Sequence, residues 1–322
     1  MSDSLATSAS PSPAESGKGR GSGRKSGSST HKPGTLVRHG AWWWAIPGVA
    51  AVASIHYVAT FIGAAYAFTD FTGLGDANFV GLDNFGRIGG DFEVMASLGN
   101  TAFLAIGFLI GTTLLGLGLA LALNRGLKTR YFLRTLLFLP VVLSAISVSY
   151  IWKYIFAFDG PLNQLLKALG LSDGTYVWLA DPKFALWAIL VVAIWQNTGM
   201  TMVIFLAGLA LVPHELEEAA ALDGAGIVRR FRSITLPMIQ PAMAIATTLT
   251  LTQGLKIFDQ VIAMTNGGPF GATDTLSTVI YRNTYEFSNY GYGAAISLVF
   301  TVVILIAAAL QLFLTRDRGV NN

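Results

Sequence analysis

Side chains that could do chemistry are few in this 322-residue chain, and most lie outside its apolar runs. The stretch 213–241 carries acids in its first half and arginines in its second, on either side of Gly224. A further pair, Lys256 and Asp259, lies inside an apolar run. Their spacing of three residues could place both on one helical face as an ion pair. Groups of this kind can dock a partner, bind a solute or close a gate.

These side chains do not form the patterns that catalysis needs. No His, Asp and Glu have metal-ligand spacing, and no Ser, His and acid converge in one plausible cavity. The chain has no cysteine, which excludes thiolate metal sites and thiol nucleophiles. It also lacks the phosphate-binding pattern G-x-x-x-x-G-K-[ST], and no basic stripe carries interleaved aromatics. The sequence therefore predicts no enzyme site, no metal site and no nucleic-acid partner.

The apolar runs that hold these residues indicate a membrane protein. The chain is 53% hydrophobic and only 12% charged, whereas soluble domains carry about a quarter charged residues. Several runs reach the ~20 residues that a helix needs to cross the hydrocarbon core. We therefore predict an all-α, polytopic membrane protein with six transmembrane helices. The predicted spans are 45–68, 100–123, 131–156, 184–212, 241–264 and 293–314.

Charge distribution predicts the topology. Residues 1–38 are rich in Ser, Gly, Pro, Lys and Arg, which predicts a disordered tail, while 39–322 form the transmembrane domain. Most of the 21 Lys and Arg residues fall in this tail and in every second connection, including 213–241. The positive-inside rule then places both termini and the 213–241 segment in the cytoplasm, with the chain in the cell membrane.

The 213–241 segment has a spaced motif. Pro213 and Pro237 bound two predicted short helices joined near Gly224. Glu218-Ala219-Ala220 is followed after three residues by Gly224, and after nine more by Ile234-x-Leu236-Pro237. This pattern resembles the EAA motif in the membrane subunits of ABC importers. The alternative is an amphipathic segment that only packs on the helical bundle.

The resemblance covers most of residues 40–315. The stretches GLDNF at 81–85, LLFLP at 136–140 and TNGGP at 265–269 are similar to the carbohydrate-uptake branch, MalF-type. The resemblance implies the type I permease fold of ABC importers. It also implies an ATP-driven importer whose path carries a sugar, expected to be a di- or oligosaccharide, delivered by an extracytoplasmic binding protein.

The same resemblance implies partners and coupling residues. The partners are a second, MalG-type permease, two copies of an ABC ATPase, the binding protein, the sugar and the lipid bilayer. The ATPases would bind ATP and Mg²⁺ and hydrolyse the nucleotide, so this chain would hold no cofactor and would not itself be an enzyme. In the family the EAA loop docks in a cleft of the ATPase. The corresponding residues here are Glu218, Ala219, Ala220, Asp223, Gly224 and Ala225.

Candidate sugar-lining residues lie in three spans. Four residues at i, i+3, i+4 and i+7 are expected on one helical face, which the resemblance places on the sugar side. These are Thr250, Gln253, Gly254 and Ile257. By the same comparison Val141, Ala145, Gln196 and Asn197 line the path. Polar side chains in membranes also tie helices together, at ~0.6 kcal/mol per contact, and both interpretations stay open for each residue.

Two further alternatives concern gating and energy source. Lys256 and Asp259 either close an outer gate or stabilise a helix contact. A secondary transporter driven by an ion gradient would need paired repeats and broken helices near the midplane. The sequence shows neither an obvious inverted repeat nor paired Gly or Pro interruptions, which favours the ATP-driven importer.

Overall fold

A computed structural model describes residues 36–124, 128–171, 173 and 176–315. The chain divides into two compact units, with the boundary between Ile55 and His56. Within the described residues the structure is helical, and its only β-type pairing is one antiparallel bridge between Thr69 and Phe79. Most of the predicted tail lies outside the described residues, and the first helix begins at Leu36, inside the predicted tail.

The first unit contains, within its described part, helix α1 (Leu36–Ala53) and the start of a π-helical turn, Ser54–Val58, which runs into the second unit. The second unit contains the remaining helices. These are α2 (Ala59–Tyr66), α3 (Asp83–Ile88), α4 (Phe92–Leu123), α5 (Arg130–Val142), α6 (Ala145–Ile155), α7 (Pro161–Ala168), α8 (Pro182–Leu209), α9 (His214–Leu222), α10 (Ile227–Arg230), α11 (Leu236–Met238), α12 (Gln240–Leu255), α13 (Asp259–Met264), α14 (Leu276–Tyr281) and α15 (Tyr290–Thr315). Two further π-helical turns are Phe231–Thr235 and Arg282–Glu286.

Among the described residues, four helices are long and apolar enough to cross a membrane. They are Trp43–Tyr66, Phe92–Leu123, Pro182–Leu209 and Tyr290–Thr315. Two bent pairs also pass when joined, Arg130–Val142 with Ala145–Ile155 and Ile227–Met238 with Gln240–Leu255. The predicted six spans are reached if each bent pair is one span.

Helices α4 and α8 form the centre of the second unit. Glycines on α4 let the two backbones approach, since a Cβ on Gly116 would lie 2.8 Å from the Thr201 Cβ. Leu104 and Phe108 of α4 pack with Ile189 of α8 in one buried cluster. These helices provide the frame against which the shorter, broken spans pack.

Two predicted spans are broken. Helix α5 contains Pro140, which lacks an N–H, and ends at Val142, and the chain then bends by 98° into α6. The Ser144 hydroxyl begins α6 by accepting a hydrogen bond from the Ser147 N–H at 3.2 Å. A second break separates α12 from α13 at residues 256–258. The predicted spans 131–156 and 241–264 are thus each divided into two helices.

Candidate functional site

The 213–241 segment folds as two short helical stretches joined at Gly224, as predicted. The Ala225 N–H donates to the Ala220 carbonyl at 2.9 Å, and the Gly224 N–H donates to the Ala221 carbonyl at 3.1 Å. This pair of bonds closes a helix and requires a left-handed residue, which Gly224 supplies with φ of 80°. The left-handed backbone conformation is therefore a sufficient reason for a glycine at position 224.

The predicted coupling residues lie mainly on the surface. Glu218, Ala219, Asp223 and Gly224 are exposed, and Ala220 and Ala225 are half-buried. The adjoining Leu222 is 90% exposed. Ala220, Asp223 and Ala225 also border a polar cavity of about 230 Å³ with Arg229 and Arg230. The structure therefore brings these residues together on an accessible face.

Two neighbouring glutamates in α9 have different roles. The Thr235 hydroxyl donates to a carboxylate oxygen of Glu217 at 3.0 Å, and Arg230 donates to the Glu217 carbonyl at 3.4 Å. Glu217 thus ties α9 to the second half of the segment. Glu218 is exposed and forms no hydrogen bond or ion pair with its side chain among the described residues.

Gln196 of α8 is buried, at 5% exposure, and sits at the break between α5 and α6. Its amide N–H donates to the Leu143 carbonyl at 3.0 Å, which the bend has left without a helical partner. Gln260 of α13 donates to the Gln196 side-chain oxygen at 3.2 Å. Gln196 therefore joins three elements, which favours the helix-tying interpretation for this residue.

The other predicted lining residues of these spans are less enclosed. Asn197 is half-buried, and its amide donates to the Ala193 carbonyl of its own helix at 3.0 Å. Val141 and Ala145 are both half-buried and flank the break that Gln196 supports. The structure thus places Val141, Ala145 and Gln196 around one break, with Asn197 one residue further along α8.

The four predicted lining residues of the fifth span do not share one face. Helix α12 ends at Leu255, so Ile257 lies beyond it and the i+7 relation is lost. Thr250 and Ile257 are buried at 3% and 6% exposure. A Cβ on Gly254 would lie 3.0 Å from the Ala105 Cα of α4. Only Gln253 is exposed, so the single-face prediction is corrected.

The expected Lys256–Asp259 ion pair is not formed. No ion pair within the described part of the chain includes either residue. The break between α12 and α13 separates them, so the helical spacing on which the pairing depended does not apply. Instead, Lys256 caps the C-terminal end of α12 and Asp259 opens α13, positions at which each charge complements its own helix dipole.

A charge cluster that sequence reasoning missed surrounds Arg282. The guanidinium donates to both carboxylate oxygens of Asp274, at 2.8 and 3.0 Å, and to Glu93 at 2.7 Å. The Asp274 side chain is 3% exposed. The hydrogen bonds to Asp274 raise the pKa of Arg282 above its ordinary value. We call Arg282, Asp274 and Glu93 the Arg282 cluster. Glu93 and Arg282 are 189 residues apart, so the spacing of residues along the sequence could not predict their contact.

An apolar groove of about 660 Å³ is bordered by α4, α5 and α8. Its walls include Leu137, Leu143 and Trp195, and none of the predicted lining residues borders it. Across the described ranges, no three His, Cys, Asp or Glu side chains are grouped to hold a metal ion.

The 213–241 segment and both breaks lie within the range that one protein family shares with this chain. The family model for the inner membrane component of binding-protein-dependent transport systems matches residues 113–319, more than half of the chain. The chain belongs to this family. The matched range holds both breaks, the 213–241 segment and most of the Arg282 cluster. Because this chain belongs to a family of inner membrane components and has several membrane-length helices among its described residues, it is a multi-pass membrane protein.

Individual relatives cover most of the chain. The chain is 34% identical over 278 residues to the multiple sugar-binding transport system permease protein MsmF of Streptococcus mutans, covering 85% of this chain and 95% of that protein. It is 35% identical over 250 residues to the trehalose/maltose transport system permease protein MalF of Thermococcus litoralis, covering 77% and 84%.

The fold is also similar to a crystal structure of a bacterial ABC transporter involved in the import of the acidic polysaccharide alginate. The TM-score is 0.78 with 22% identity, covering 88% of this chain and 98% of that chain. The predicted ABC importer permease fold is therefore confirmed.

Proposed function

We propose that this chain forms the translocation path of an ATP-driven importer for a sugar, and that an extracytoplasmic binding protein delivers the sugar. Relatives named for multiple sugars and for trehalose and maltose support a carbohydrate, with a di- or oligosaccharide favoured. The remaining partners are a second, MalG-type permease and two ABC ATPase subunits. ATP and Mg²⁺ bind to those ATPases.

The observation that carries the proposal is the contrast between Glu217 and Glu218. The Glu217 side chain accepts a hydrogen bond within the segment. The Glu218 side chain is exposed beside small residues that permit close approach of another backbone. A surface that only packed on the bundle would bury Glu218 and Ala219. Their exposure supports docking of the 213–241 segment on the ATPase.

The proposed topology has both termini and the 213–241 segment in the cytoplasm. The distribution of Lys and Arg supports this orientation. ATP-driven closure of the ATPases then moves the segment, and the bundle alternates between inward and outward access.

The path itself is proposed to pass the two breaks. Irregular backbone at membrane depth is tolerated where it is buried in protein or lines a water-filled cavity. The half-buried Val141, Ala145 and Asn197 and the exposed Gln253 support lining roles. Gln196, Thr250, Gly254 and Ile257 are engaged in packing within this subunit, so we assign them to holding the path's shape.

Charge reversal of one exposed glutamate tests the docking role. We expect Glu218→Arg to reduce ATP-dependent sugar uptake by reconstituted vesicles at least about tenfold, because a docked carboxylate contact is typically worth ~1.5–3 kcal/mol. Glu215→Arg is the matched control, since Glu215 is another exposed acid of α9 outside the EAA motif. Equal uptake by the two variants would remove the docking role from Glu218.

The ion-gradient alternative has a direct test in the same vesicles. The proposal requires that uptake stop when ATP is depleted while the ion gradients are kept. It also requires that an ATPase subunit co-purify with the chain. Uptake that continues without ATP, by a chain purified without any ATPase, would establish the secondary transporter instead.

A further inference from the structure

A cleft between α2, α14 and α15 brings together hydroxyl groups that have no partner. The cleft holds about 480 Å³. Five of the residues that border it carry a hydroxyl group that forms no hydrogen bond with any residue that the structure describes. These residues, which we call the tyrosine cleft, are Tyr66, Thr284, Tyr285, Tyr290 and Ser297.

Aromatic contacts hold the tyrosine rings of the cleft in place. Tyr66 stacks on Phe71 with the ring centroids 4.8 Å apart, and the Phe71 ring lies 5.8 Å from that of Tyr290. Tyr290 in turn meets Tyr285 edge to face, with the centroids 6.3 Å apart. Because each ring already contacts another, a ligand that binds here does not have to order them, which lowers the entropic cost of binding.

Hydroxyl groups in the long central helices differ from those of the cleft. The Thr112 hydroxyl of α4 donates to the Phe108 carbonyl at 2.6 Å, and the Thr198 hydroxyl of α8 donates to the Ile194 carbonyl at 2.6 Å. Thr198 is also the one residue with a hydroxyl among those that border the apolar groove of α4, α5 and α8. That groove offers a ligand few hydrogen-bonding groups, whereas the tyrosine cleft offers several that are free.

The lining of the cleft indicates a neutral ligand that has hydroxyl groups and an apolar face. No described residue that borders the cavity carries a charge, so nothing there would select a phosphate or a carboxylate. Tyrosine, serine and threonine hydroxyls each donate and accept hydrogen bonds. The tyrosine rings add flat apolar faces, and Gly63 and Gly293 leave room beside them.

A sugar ring presents the matching surfaces. A pyranose carries hydroxyl groups around its rim and C–H groups on its two faces, so it can bond the free hydroxyls while it packs against a tyrosine ring. The volume of the cleft also lies within the range of about 300–1,000 Å³ that is usual for small-molecule sites.

We propose that the tyrosine cleft binds a neutral sugar ring at a site separate from the proposed translocation path. The proposed lining residues Val141, Ala145, Asn197 and Gln253 do not border the cleft. Two sources present this chemistry, a free sugar and the sugar headgroup of a glycolipid. The inference goes beyond the proposed function and does not depend on it, because the lining of the cleft alone carries it.

The test measures equilibrium binding of radiolabelled sugars to the assembled importer, without ATP and without the binding protein. The importer is held in phosphatidylglycerol nanodiscs, because a detergent with a maltose headgroup would compete for the cleft. One probe is maltose, and the other is monoglucosyl diacylglycerol added to the nanodiscs. Unlabelled diacylglycerol, which lacks the sugar, is the competitor that detects binding through the acyl chains alone.

A combined variant, Tyr285→Phe with Tyr290→Phe and Ser297→Ala, removes three hydroxyls and keeps the ring contacts. Tyr281→Phe is the matched control, because Tyr281 is also an exposed tyrosine without a side-chain hydrogen bond among the described residues, but it does not border the cavity. Gln253→Leu represents the proposed path. The combined variant should unfold at the wild-type temperature, since its hydroxyls have no partner to lose, and a lowered temperature would contradict their free state.

We expect wild type, Tyr281→Phe and Gln253→Leu to bind at least one probe with equal affinity, and the combined variant to bind it at least about tenfold more weakly. Binding of maltose would identify a free sugar as the ligand, and binding of the glucosyl lipid alone would identify a glycolipid headgroup.

Four results would overturn the inference. They are no binding of either probe to wild type, wild-type affinity in the combined variant, displacement of the lipid probe by diacylglycerol, and loss of maltose binding in Gln253→Leu alone, which would place the sugar in the path. A failure of ATP-dependent uptake, by contrast, contradicts the proposed function and leaves the binding result unchanged.

Discussion

The 213–241 segment and the Arg282 cluster are both rich in charge, and they use that charge in opposite ways. Glu218 and Asp223 of the segment are exposed, and neither forms an ion pair within the described chain. Arg282 is paired at close range with Asp274 and Glu93. The first region leaves its charges available to another molecule, whereas the second satisfies them internally.

The same distinction orders the polar residues of the spans. Gln196 is buried and closes a break in a neighbouring helix, while Gln253 is exposed and has no partner within the described residues. A polar side chain with an internal partner holds the fold, and its loss should lower stability. Replacing a polar side chain that has no internal partner should reduce transport and leave stability unchanged.

The largest expected effect is at the Arg282 cluster. We expect Arg282→Met to lower the free energy of unfolding of the solubilised permease by ~3–5 kcal/mol, because it leaves the buried Asp274 carboxylate unpaired. Thermal unfolding measured by intrinsic fluorescence checks this. Adding Asp274→Asn to Arg282→Met should recover part of the loss, since the amide carries no charge. Unfolding at the wild-type temperature in Arg282→Met would contradict the internal role of the cluster.

A smaller loss of stability is expected at the first break. Gln196→Leu removes the donor to the Leu143 carbonyl and the acceptor for the amide of the buried Gln260. It should cost ~1–3 kcal/mol, the penalty of an unsatisfied buried polar group. Gln253→Leu is the matched variant on α12, and it should leave thermal unfolding unchanged while it reduces uptake. Equal losses of stability in the two variants would remove the distinction drawn between them.

The smallest effect is expected inside the 213–241 segment. Thr235→Val removes the hydroxyl that bonds Glu217 and should weaken the tie by ~0.5–1.5 kcal/mol. Amide hydrogen exchange across α9 should therefore become faster by about two- to tenfold. Glu218→Gln should leave that exchange unchanged, because the Glu218 side chain has no internal partner among the described residues. Faster exchange in Glu218→Gln alone would reverse the assigned roles.

The sequence predicted those elements whose determinants are local. The apolar runs located α4, α8 and α15 because each run is long and almost free of charge. Pro213 and Gly224 predicted the two-part 213–241 segment because each acts on the backbone at its own position. The exposure of Glu218 agrees with the motif that singled it out.

The determinants of the breaks and of the Arg282 cluster are distant in sequence. The carbonyl released at Leu143 is satisfied by Gln196, 53 residues later. Because α12 ends at Leu255, Ile257 does not lie on the predicted helical face. The Ile257 carbonyl instead accepts a hydrogen bond from the hydroxyl of Thr275, 18 residues later. Helical periodicity carries no information about contacts of this kind, so the lining prediction failed where the helix ended.

Site-specific cross-linking tests the central claim, that the 213–241 segment docks on an ATPase. Because the chain has no cysteine, one introduced at the exposed Leu222 is unique, and Phe270, fully exposed on the loop after α13, gives the matched control. In the assembled importer, we predict that a maleimide carrying a benzophenone, attached at Leu222→Cys and irradiated, inserts into C–H bonds of the co-purifying ATPase subunit and that Phe270→Cys gives no such product. Cross-linking of the ATPase at Phe270→Cys, or its absence at Leu222→Cys, would contradict the account.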